Sequence, residues 1–216
     1  MNKPLLILGG GGHASVLVDI LLEQRREIVG VVSPELISSR SVFGAIPQYF
    51  NDEDILSFST DEILLVNGIG SLPKANLRTS IYKKYNKLGY IFETVVSLNA
   101  LVSRFSRLEQ GVQIFPGAII QAGSNIGENS IINTGVIVEH DCTIGINNHI
   151  APGVTLSGGV STGDQVHIGT GASVIQSIRI GSHSVVSSGA VVTKCIGDNK
   201  IAYHAKGITR AIKNHG

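Results

Sequence analysis

Several features that would point to particular protein classes are missing from the chain. Its 216 residues include no Trp, one Met and only two cysteines, Cys142 and Cys195, which are too few for a disulfide framework. Charged residues make up 15% and the formal net charge is +1, so we expect no attraction to nucleic acid. No stretch approaches the roughly 20 apolar residues that span a bilayer, so we expect no membrane insertion. The N-terminus has no signal-peptide layout, which predicts a cytoplasmic protein.

Glycine and aliphatic residues, by contrast, are abundant. The chain has 26 Gly, and 43% of its residues are apolar. Many Gly together with many Val and Ile favour short strands joined by tight turns over a helical bundle. The apolar content also excludes a disordered chain, because it supplies enough surface to bury.

The C-terminal half carries a repeat of six residues. In steps of six from Val96, every position but one is aliphatic, and no insertion shifts the frame. The positions are Val96, Val102, Leu108, Ile114, Ile120, Ile126, Ile132, Val138, Ile144, Ile150, Leu156, Thr162, Ile168, Val174, Ile180, Val186 and Val192. The position four residues further on is usually small or apolar, with Asn148 as an exception. Cys142 occupies such a position, so we interpret it as a core residue and not a nucleophile.

A period of six fits neither a helix nor a flat strand, but it fits short strands broken by a turn every six residues. Three hexads then close one triangular coil, and the aliphatic side chains stack in columns inside it. Burial of each Ile or Val side chain stabilises the folded state by roughly 1.5–3 kcal/mol. Glycine often stands immediately after the aliphatic residue of a hexad, and there we expect special backbone angles. These glycines are Gly127, Gly145, Gly163, Gly169 and Gly181.

Residues 1–95 follow a different pattern. We predict strands at 4–8, 28–32 and 63–67, helices at 13–24 and 75–88, and a strand at 90–95 that leads into the coil. Strands alternating with helices indicate a small Rossmann-like parallel α/β sheet. The segment 33–60 is irregular. The predicted organisation is therefore a nucleotide-binding domain at 1–95, followed at 96–216 by an all-β parallel β-helix with a C-terminal tail.

Two glycine loops follow strands of the predicted sheet. The first, GGGGH at 9–13, precedes a helix, whose free N–H groups attract phosphate. The second, GIGS at 68–71, follows the third strand, so both loops border one crevice suited to a nucleotide. The first loop also satisfies the dinucleotide fingerprint through Gly9, Gly11 and Ala14, but no acidic residue follows Val32 to hold a ribose. Tight turns without a ligand are the alternative interpretation.

Ionisable side chains interrupt the coil at Glu139, His140 and Asp141. A histidine can accept a proton near neutral pH, and an adjacent carboxylate can fix its tautomer. His149 and His167 are one coil apart and should stack on one face, whereas His140 lies half a coil before His149 and on another face. A surface histidine without function is one alternative, and a zinc site shared between subunits is another.

The motifs GGGGH, VNGIGS and INTGVIVEHDCTIG together resemble the hexapeptide-repeat sugar acetyltransferases, in the subfamily of bacterial amino-sugar N-acetyltransferases and sialic acid O-acetyltransferases. The resemblance covers nearly the whole chain. It implies a left-handed β-helix, a homotrimer, and acetyl-CoA as co-substrate bound between neighbouring subunits, with no metal. It also implies transfer of the acetyl group to the amine of a nucleotide-linked sugar, a UDP-4-amino-4,6-dideoxy sugar, in bacterial glycan biosynthesis.

The same resemblance implies roles for individual residues. His140 is the general base, and Asp141 increases its basicity. The predicted acetyl-CoA contacts are His149, Thr170 and Ser188, and the predicted contacts to the nucleotide sugar are Gly11, Gly12, His13, Gly70 and Ser71. Many relatives carry an acidic residue where this chain has Ser33, and many read Gly-x-Pro-Ala-Lys where this chain reads AYHAK at 202–206.

Three other functions compete with sugar N-acetylation. The first is O-acetylation of sialic acid or another sugar hydroxyl, since the same base serves either nucleophile. The second is a trimeric scaffold that binds sugar nucleotides without catalysis. The third is a zinc hydratase, for which histidines of two chains would bind the metal.

Overall fold

The structure is a computed structural model, and it describes residues 3–37, 40–73 and 75–204. The C-terminal tail beyond residue 204 lies outside the described residues. A small parallel sheet with two α-helices forms the N-terminal region, and a long stack of very short parallel strands follows. No helix among the described residues combines the length and the apolar character needed to cross a membrane.

The N-terminal sheet has four parallel strands in the order β3-β2-β1-β4. The elements are β1 Leu5–Leu8, α1 Gly12–Glu23, β2 Ile28–Val32, β3 Gln48–Tyr49, β4 Leu64–Asn67 and α2 Leu77–Lys87, with 3₁₀ helices at Ser41–Phe43 and Asp52–Ser57. β1 is buried along its whole length, as a central parallel strand requires. Three predicted strands and both predicted helices are confirmed to within two residues, and β3 adds an edge strand from the irregular segment.

The strand predicted at 90–95 is wrong. Phe92 makes only an isolated bridge to Leu65, through hydrogen bonds of Leu65 with Ile91 and Glu93. The backbone then changes partner, and Val95 donates to Val112 of the coil. The segment therefore connects two sheets and does not form one strand.

Three parallel sheets form the walls of the C-terminal prism. Their strands are β5 Val95–Val96, β6 Leu101–Val102, β7 Arg107–Leu108, β8 Gln113–Ile114, β9 Ile119–Ile120, β10 Asn125–Ile126, β11 Ile131–Ile132, β12 Ile137–Val138, β13 Thr143–Ile144, β14 His149–Ile150, β15 Thr155–Leu156, β16 Ser161–Thr162, β17 His167–Ile168, β18 Ser173–Val174, β19 Arg179–Ile180, β20 Val185–Val186, β21 Val191–Val192 and β22 Ile201–Ala202. Every third strand belongs to the same sheet, apart from the last coil.

We name the walls by their strands. The first sheet holds β5, β8, β11, β14, β17, β20 and β22, the second holds β6, β9, β12, β15, β18 and β21, and the third holds β7, β10, β13, β16 and β19. The first edge of the prism is the column of turns from the first sheet to the second. The second edge leads from the second sheet to the third, and the third edge leads back to the first. Each strand pairs with the strand one coil later, which makes this a parallel β-helix.

The predicted inner columns are confirmed. Ile126, Ile144 and Ile180 are all buried and belong to one apolar cluster that runs through the prism. Cys142 is fully buried in the same cluster, and burial raises the pKa of its thiol. Cys142 is therefore a core residue, as the hexad pattern predicts, while Cys195 is exposed.

The five recurrent glycines serve close packing and not special backbone angles, which corrects the sequence prediction. None of them has a positive φ. A Cβ at Gly145 would lie 2.3 Å from the carbonyl oxygen of Gly163, and one at Gly127 would lie 2.7 Å from the backbone of Gly145. The left-handed residues stand instead at the edge turns, such as Gly135 (φ 66°) and Asp141 (φ 60°).

The two exceptions to the hexad pattern contact each other inside the prism. Asn148 and Thr162 are both buried, and the amide nitrogen of Asn148 donates to the hydroxyl of Thr162 at 2.7 Å. The Asn148 amide oxygen accepts from the backbone N–H of Val166, and the Thr162 hydroxyl accepts from Gly145 at 3.1 Å. Each buried polar group thus has partners, as an interior requires.

Candidate active site

His140 and Asp141 form an exposed dyad on the second edge of the prism. They are the turn residues that follow β12, and Asp141 adopts the left-handed conformation that Asp tolerates better than most residues. Nδ1 of His140 lies 2.8 Å from Oδ2 of Asp141, and the two side chains are 66% and 72% exposed. Nδ1 donates a hydrogen bond to the carboxylate, which leaves Nε2 as the nitrogen with a free lone pair. Within the described residues, Nε2 makes no hydrogen bond.

The two glycine loops meet at the carboxyl ends of β1 and β4, as predicted. These strands are neighbours in the sheet, and a Cβ at Gly9 would lie 3.3 Å from the backbone of Gly68. Gly11 and Gly12 begin α1 in an exposed position, and no side chain caps the helix, so its first N–H groups are available to an anion. Gly70 faces His13, since its Cβ would lie 3.5 Å from that of His13.

Ser33 lies beside the first glycine loop. Its hydroxyl donates to the carbonyl of Glu35 at 3.0 Å and is buried. A Cβ at Gly10 would lie 2.9 Å from this hydroxyl. A compact serine therefore fills this place and supplies no charge.

His13 is neutral at physiological pH. Its Nε2 lies 2.8 Å from Oε1 of Gln113, which projects from the first sheet of the prism. Burial, followed by the positive charge of Arg78, lowers the pKa of His13 to about 4. The side chain can accordingly offer a ligand hydrogen bonds but no positive charge.

Arg78 is a buried cation whose role the sequence did not reveal. It is 4% exposed, and it donates to the carbonyls of Asn67, Ile69 and Asn129 at 2.8–3.2 Å. Burial lowers its pKa to about 9, so it stays charged near neutral pH. Through these bonds Arg78 holds the second glycine loop against the prism. An arginine in a helix with a mixed surface gives no sequence signal for such burial.

His149 and His167 stack on the first sheet, as predicted from their spacing. They pair in register on β14 and β17, with ring centroids 4.8 Å apart and planes inclined by 12°. The Nδ1 atoms of both rings are buried, without a hydrogen-bond partner among the described residues. Burial, then the neighbouring His167, His13 and Arg78, lowers the pKa of His149 to about 3. A polar group of a ligand would satisfy these nitrogens.

A cavity of about 470 Å³ joins the glycine loops to the histidine stack. Its lining includes His13, Gly70, Ser71, His149 and Asn133. The structure thus brings together four of the predicted binding residues from both regions of the chain. A second cavity of about 420 Å³ shares Ser71 and reaches His167.

Other predicted site residues lie elsewhere on the chain. Thr170 and Ser188 are exposed turn residues on the first edge, one coil apart, and Gly189 donates to the carbonyl of Thr170 at 2.8 Å. His140, on the second edge, is absent from the cavity that His149 lines. One chain therefore carries the parts of the predicted site on separate surfaces. The described residues also contain no group of three or more His, Cys, Asp or Glu side chains that could hold a metal ion.

Comparisons with known proteins give structural relatives only. A scan of family models found no match, and neither did a search of the curated proteins. Among solved structures, perosamine N-acetyltransferase from Caulobacter crescentus, a histidine-to-asparagine mutant in complex with CoA and GDP-perosamine, is 32% identical, with a TM-score of 0.84 and 93% of each chain covered. The acetyltransferase domain of PglB from Neisseria gonorrhoeae, in complex with acetyl coenzyme A, is 25% identical, with a TM-score of 0.83, over 96% of this chain and 100% of that one.

A third structure supports the fold alone. WeeI from Acinetobacter baumannii is 21% identical, with a TM-score of 0.76, over 92% of this chain and 96% of that one. The matches cover both the α/β sheet and the stacked coils, in the order found here. Identity of 32% over 93% of both chains goes beyond shared architecture. The chain therefore belongs to the hexapeptide-repeat family of acetyl-CoA-dependent sugar N-acetyltransferases with a left-handed β-helix.

Proposed function

We propose that this protein transfers the acetyl group of acetyl-CoA to the amino group of a nucleotide-linked 4-amino-4,6-dideoxy sugar, with His140 as the general base. The amine attacks the thioester carbonyl, a C–N bond forms, and the C–S bond of the tetrahedral intermediate breaks. The amine loses its proton to His140, which returns a proton to the departing coenzyme A thiolate. Both substrates bind together, so no covalent acyl-enzyme is needed.

The His140–Asp141 dyad is the observation that carries this proposal. The 2.8 Å contact orients the ring, with Nδ1 toward the carboxylate, and leaves Nε2 without a hydrogen bond within the described residues. A base for an external amine needs an accessible nitrogen in a defined orientation. A buried ring such as that of His149 cannot take up a proton so readily, because burial lowers its pKa to about 3.

The cavity between the glycine loops and the first sheet is the proposed site of the nucleotide sugar. His13, Gly70 and Ser71 line this cavity, and the free N–H groups at Gly11 and Gly12, just before His13, suit a diphosphate. We propose a UDP-linked acceptor. The Caulobacter relative was solved with GDP-perosamine, so a GDP-linked sugar is the direct competitor. Thr170, Ser188 and His149 are the proposed contacts to acetyl-CoA.

We further propose that the active form is a homotrimer. In one chain His140 does not line the cavity, and in the proposed assembly a neighbouring chain completes the site. The second sheet contains β12, the strand that precedes His140. Its outward side carries a column of aliphatic residues, Leu101, Ile119 and Ile137, and Leu101 is 68% exposed. A second copy of the chain would bury this apolar column. Measurement of the mass in solution tests the assembly, and an active monomer would contradict it.

Replacement of the base tests the mechanism. In His140→Ala we expect turnover to fall roughly 10²–10⁴-fold, the usual contribution of a positioned base. The control is Arg25→Asn, because Arg25 is also exposed in a turn, with φ 55°, where Asn is tolerated, and it lines neither cavity. A correctly assembled His140→Ala protein with wild-type turnover would remove His140 from the mechanism.

A substrate panel tests the acceptor. Thiol release from acetyl-CoA is followed with UDP-linked and GDP-linked 4-amino-4,6-dideoxy sugars and with free sialic acid. We expect the highest kcat/KM with the UDP-linked amine. Preference for the GDP-linked sugar would correct the nucleotide, and preference for sialic acid would establish O-acetylation instead. Binding of sugar nucleotides without any thiol release would favour the non-catalytic scaffold.

A further inference from the structure

Gly158 lies directly beside the ring of His140. It is the first residue of the edge turn one coil after His140 and Asp141, and Gly159 donates to the carbonyl of His140 at 2.9 Å. Gly159 has a φ of 69°, which explains a glycine there by backbone conformation. Gly158 has no positive φ, so its backbone would accept a side chain. Another reason must account for the absence of one.

The reason is the imidazole. A Cβ at position 158 would lie 2.5 Å from Nε2 of His140, 2.6 Å from Cε1 and 3.2 Å from Cδ2. These distances are far below van der Waals contact, so the ring and a side chain at 158 cannot occupy this space together. The smallest side chain would have to displace the ring.

The coil before the dyad leaves space in the same way. A Cβ at Gly123, one coil before Asp141, would lie 2.3 Å from Oδ1 of Asp141. Gly123 has a φ of 78°, so a substitution there would also strain the backbone. The dyad thus lies between two glycine turns, and only Gly158 can be changed without altering the preferred backbone conformation.

We propose that Gly158 is a positioning residue for His140: its missing side chain leaves the space in which the ring bonds to Asp141 and presents Nε2. A methyl group at 158 would turn the exposed ring away and break the Nδ1 contact, while the prism stays folded. Misplacement of a catalytic group by about 1 Å can lower the rate about 10²-fold. The effect on turnover rests on the proposed function of His140, whereas the effect on the ring does not.

The experiment compares Gly158→Ala with Gly197→Ala. Gly197 also has no positive φ, and a Cβ there would meet nothing within 4 Å, so it is a matched glycine without a ring to displace. In Gly158→Ala we expect kcat to fall about 10–100-fold, with the KM for acetyl-CoA within about threefold of wild type. In Gly197→Ala both should stay near wild type. In the His140→Ala background, Gly158→Ala should lower the residual rate no further, since it acts through the ring.

A spectroscopic measurement separates this inference from the proposed function. The side-chain ¹⁵N shifts of His140, assigned by their loss in His140→Ala, report which ring nitrogen carries the proton. We expect Gly158→Ala to change the tautomer signal and Gly197→Ala to leave it unchanged. A folded Gly158→Ala protein with the wild-type signal and turnover would overturn the proposal. A changed signal with unaffected turnover would retain the positioning of the ring and remove His140 from catalysis.

Discussion

The histidines of this chain occupy two contrasting environments. On the second edge, His140 is 66% exposed and bonded to a carboxylate. On the first sheet, His149 and His167 are stacked with buried Nδ1 atoms, and His13 is bonded to Gln113 beside them. The same side chain is available for proton transfer at one place and is kept neutral by burial at the other. Residue type alone therefore does not distinguish a histidine that is accessible for proton transfer from one that is kept neutral; its surroundings do.

A further change in turnover tests the exposed environment of His140. In Asp141→Asn we expect turnover to fall roughly 10–10²-fold, because an amide cannot hold the ring as an anion does. Asn tolerates the left-handed conformation at this position, and both side chains are exposed, so the melting temperature should stay within a few degrees of wild type. Steady-state kinetics and thermal unfolding check the two expectations. Full activity in the variant would show that orientation by Asp141 is unimportant.

Changes to the buried histidines are expected to alter the stability of the protein, and by a smaller amount. In His167→Ala we expect the melting temperature to fall by roughly 2–6 °C, since the variant removes the ring stacked on His149. His167→Phe is the matched variant, because it keeps an aromatic ring in the stack, and it should lose less. Thermal unfolding at fixed protein concentration measures both. Equal melting temperatures for the two variants would contradict a stabilising stack.

The third test of the comparison is a pH dependence of stability. In the folded protein the pKa values of His13 and His149 are lowered by burial to about 4 and about 3, both below the ordinary histidine value of 6.5. As the pH falls below 6.5 the unfolded chain binds protons first, so stability present above 6.5 is lost progressively toward pH 4. We expect the melting temperature to drop by several degrees between pH 7 and pH 5.

The variant His149→Phe provides the control for this dependence. It removes one buried group that titrates, so its melting temperature should fall less steeply over the same interval. Ionic strength and protein concentration are held constant, because subunit association also contributes to apparent stability. A melting temperature that rises toward pH 5 in the wild-type protein would contradict burial of neutral imidazoles.

The sequence predicts much of the fold because a strict period leaves few alternatives. Steps of six place Ile126, Ile144 and Ile180 in one interior column, and a spacing of eighteen places His149 above His167. Two predictions are wrong because the same sequence pattern suits two different structures. The repeat predicts special backbone angles at Gly145, whereas the structure shows that this glycine permits the close approach of the Gly163 backbone. The segment at 90–95 has strand-like composition, but its hydrogen bonds pass from one sheet to the next.

The site was less predictable because it depends on contacts between distant segments. Arg78 donates to the carbonyl of Asn129 and Gln113 donates to that of Asn67, so both connect the two regions, and neither belongs to a motif. The 2.8 Å contact of the dyad joins adjacent residues and could be anticipated from sequence. The closeness of Gly158 to Nε2 spans a full coil and concerns an absent side chain, which a pattern of present residues cannot reveal.

The buried pair of Asn148 and Thr162 has a consequence for how the stack aligns itself. Coils that resemble one another could associate out of step by one layer and still cover as many aliphatic side chains. Such a slip would leave the Asn148 amide facing a hydrocarbon layer without its hydroxyl partner, an outcome that an apolar interior strongly disfavours. One internal polar contact therefore favours a single alignment of the coils, the alignment in which Gly158 lies beside the ring of His140.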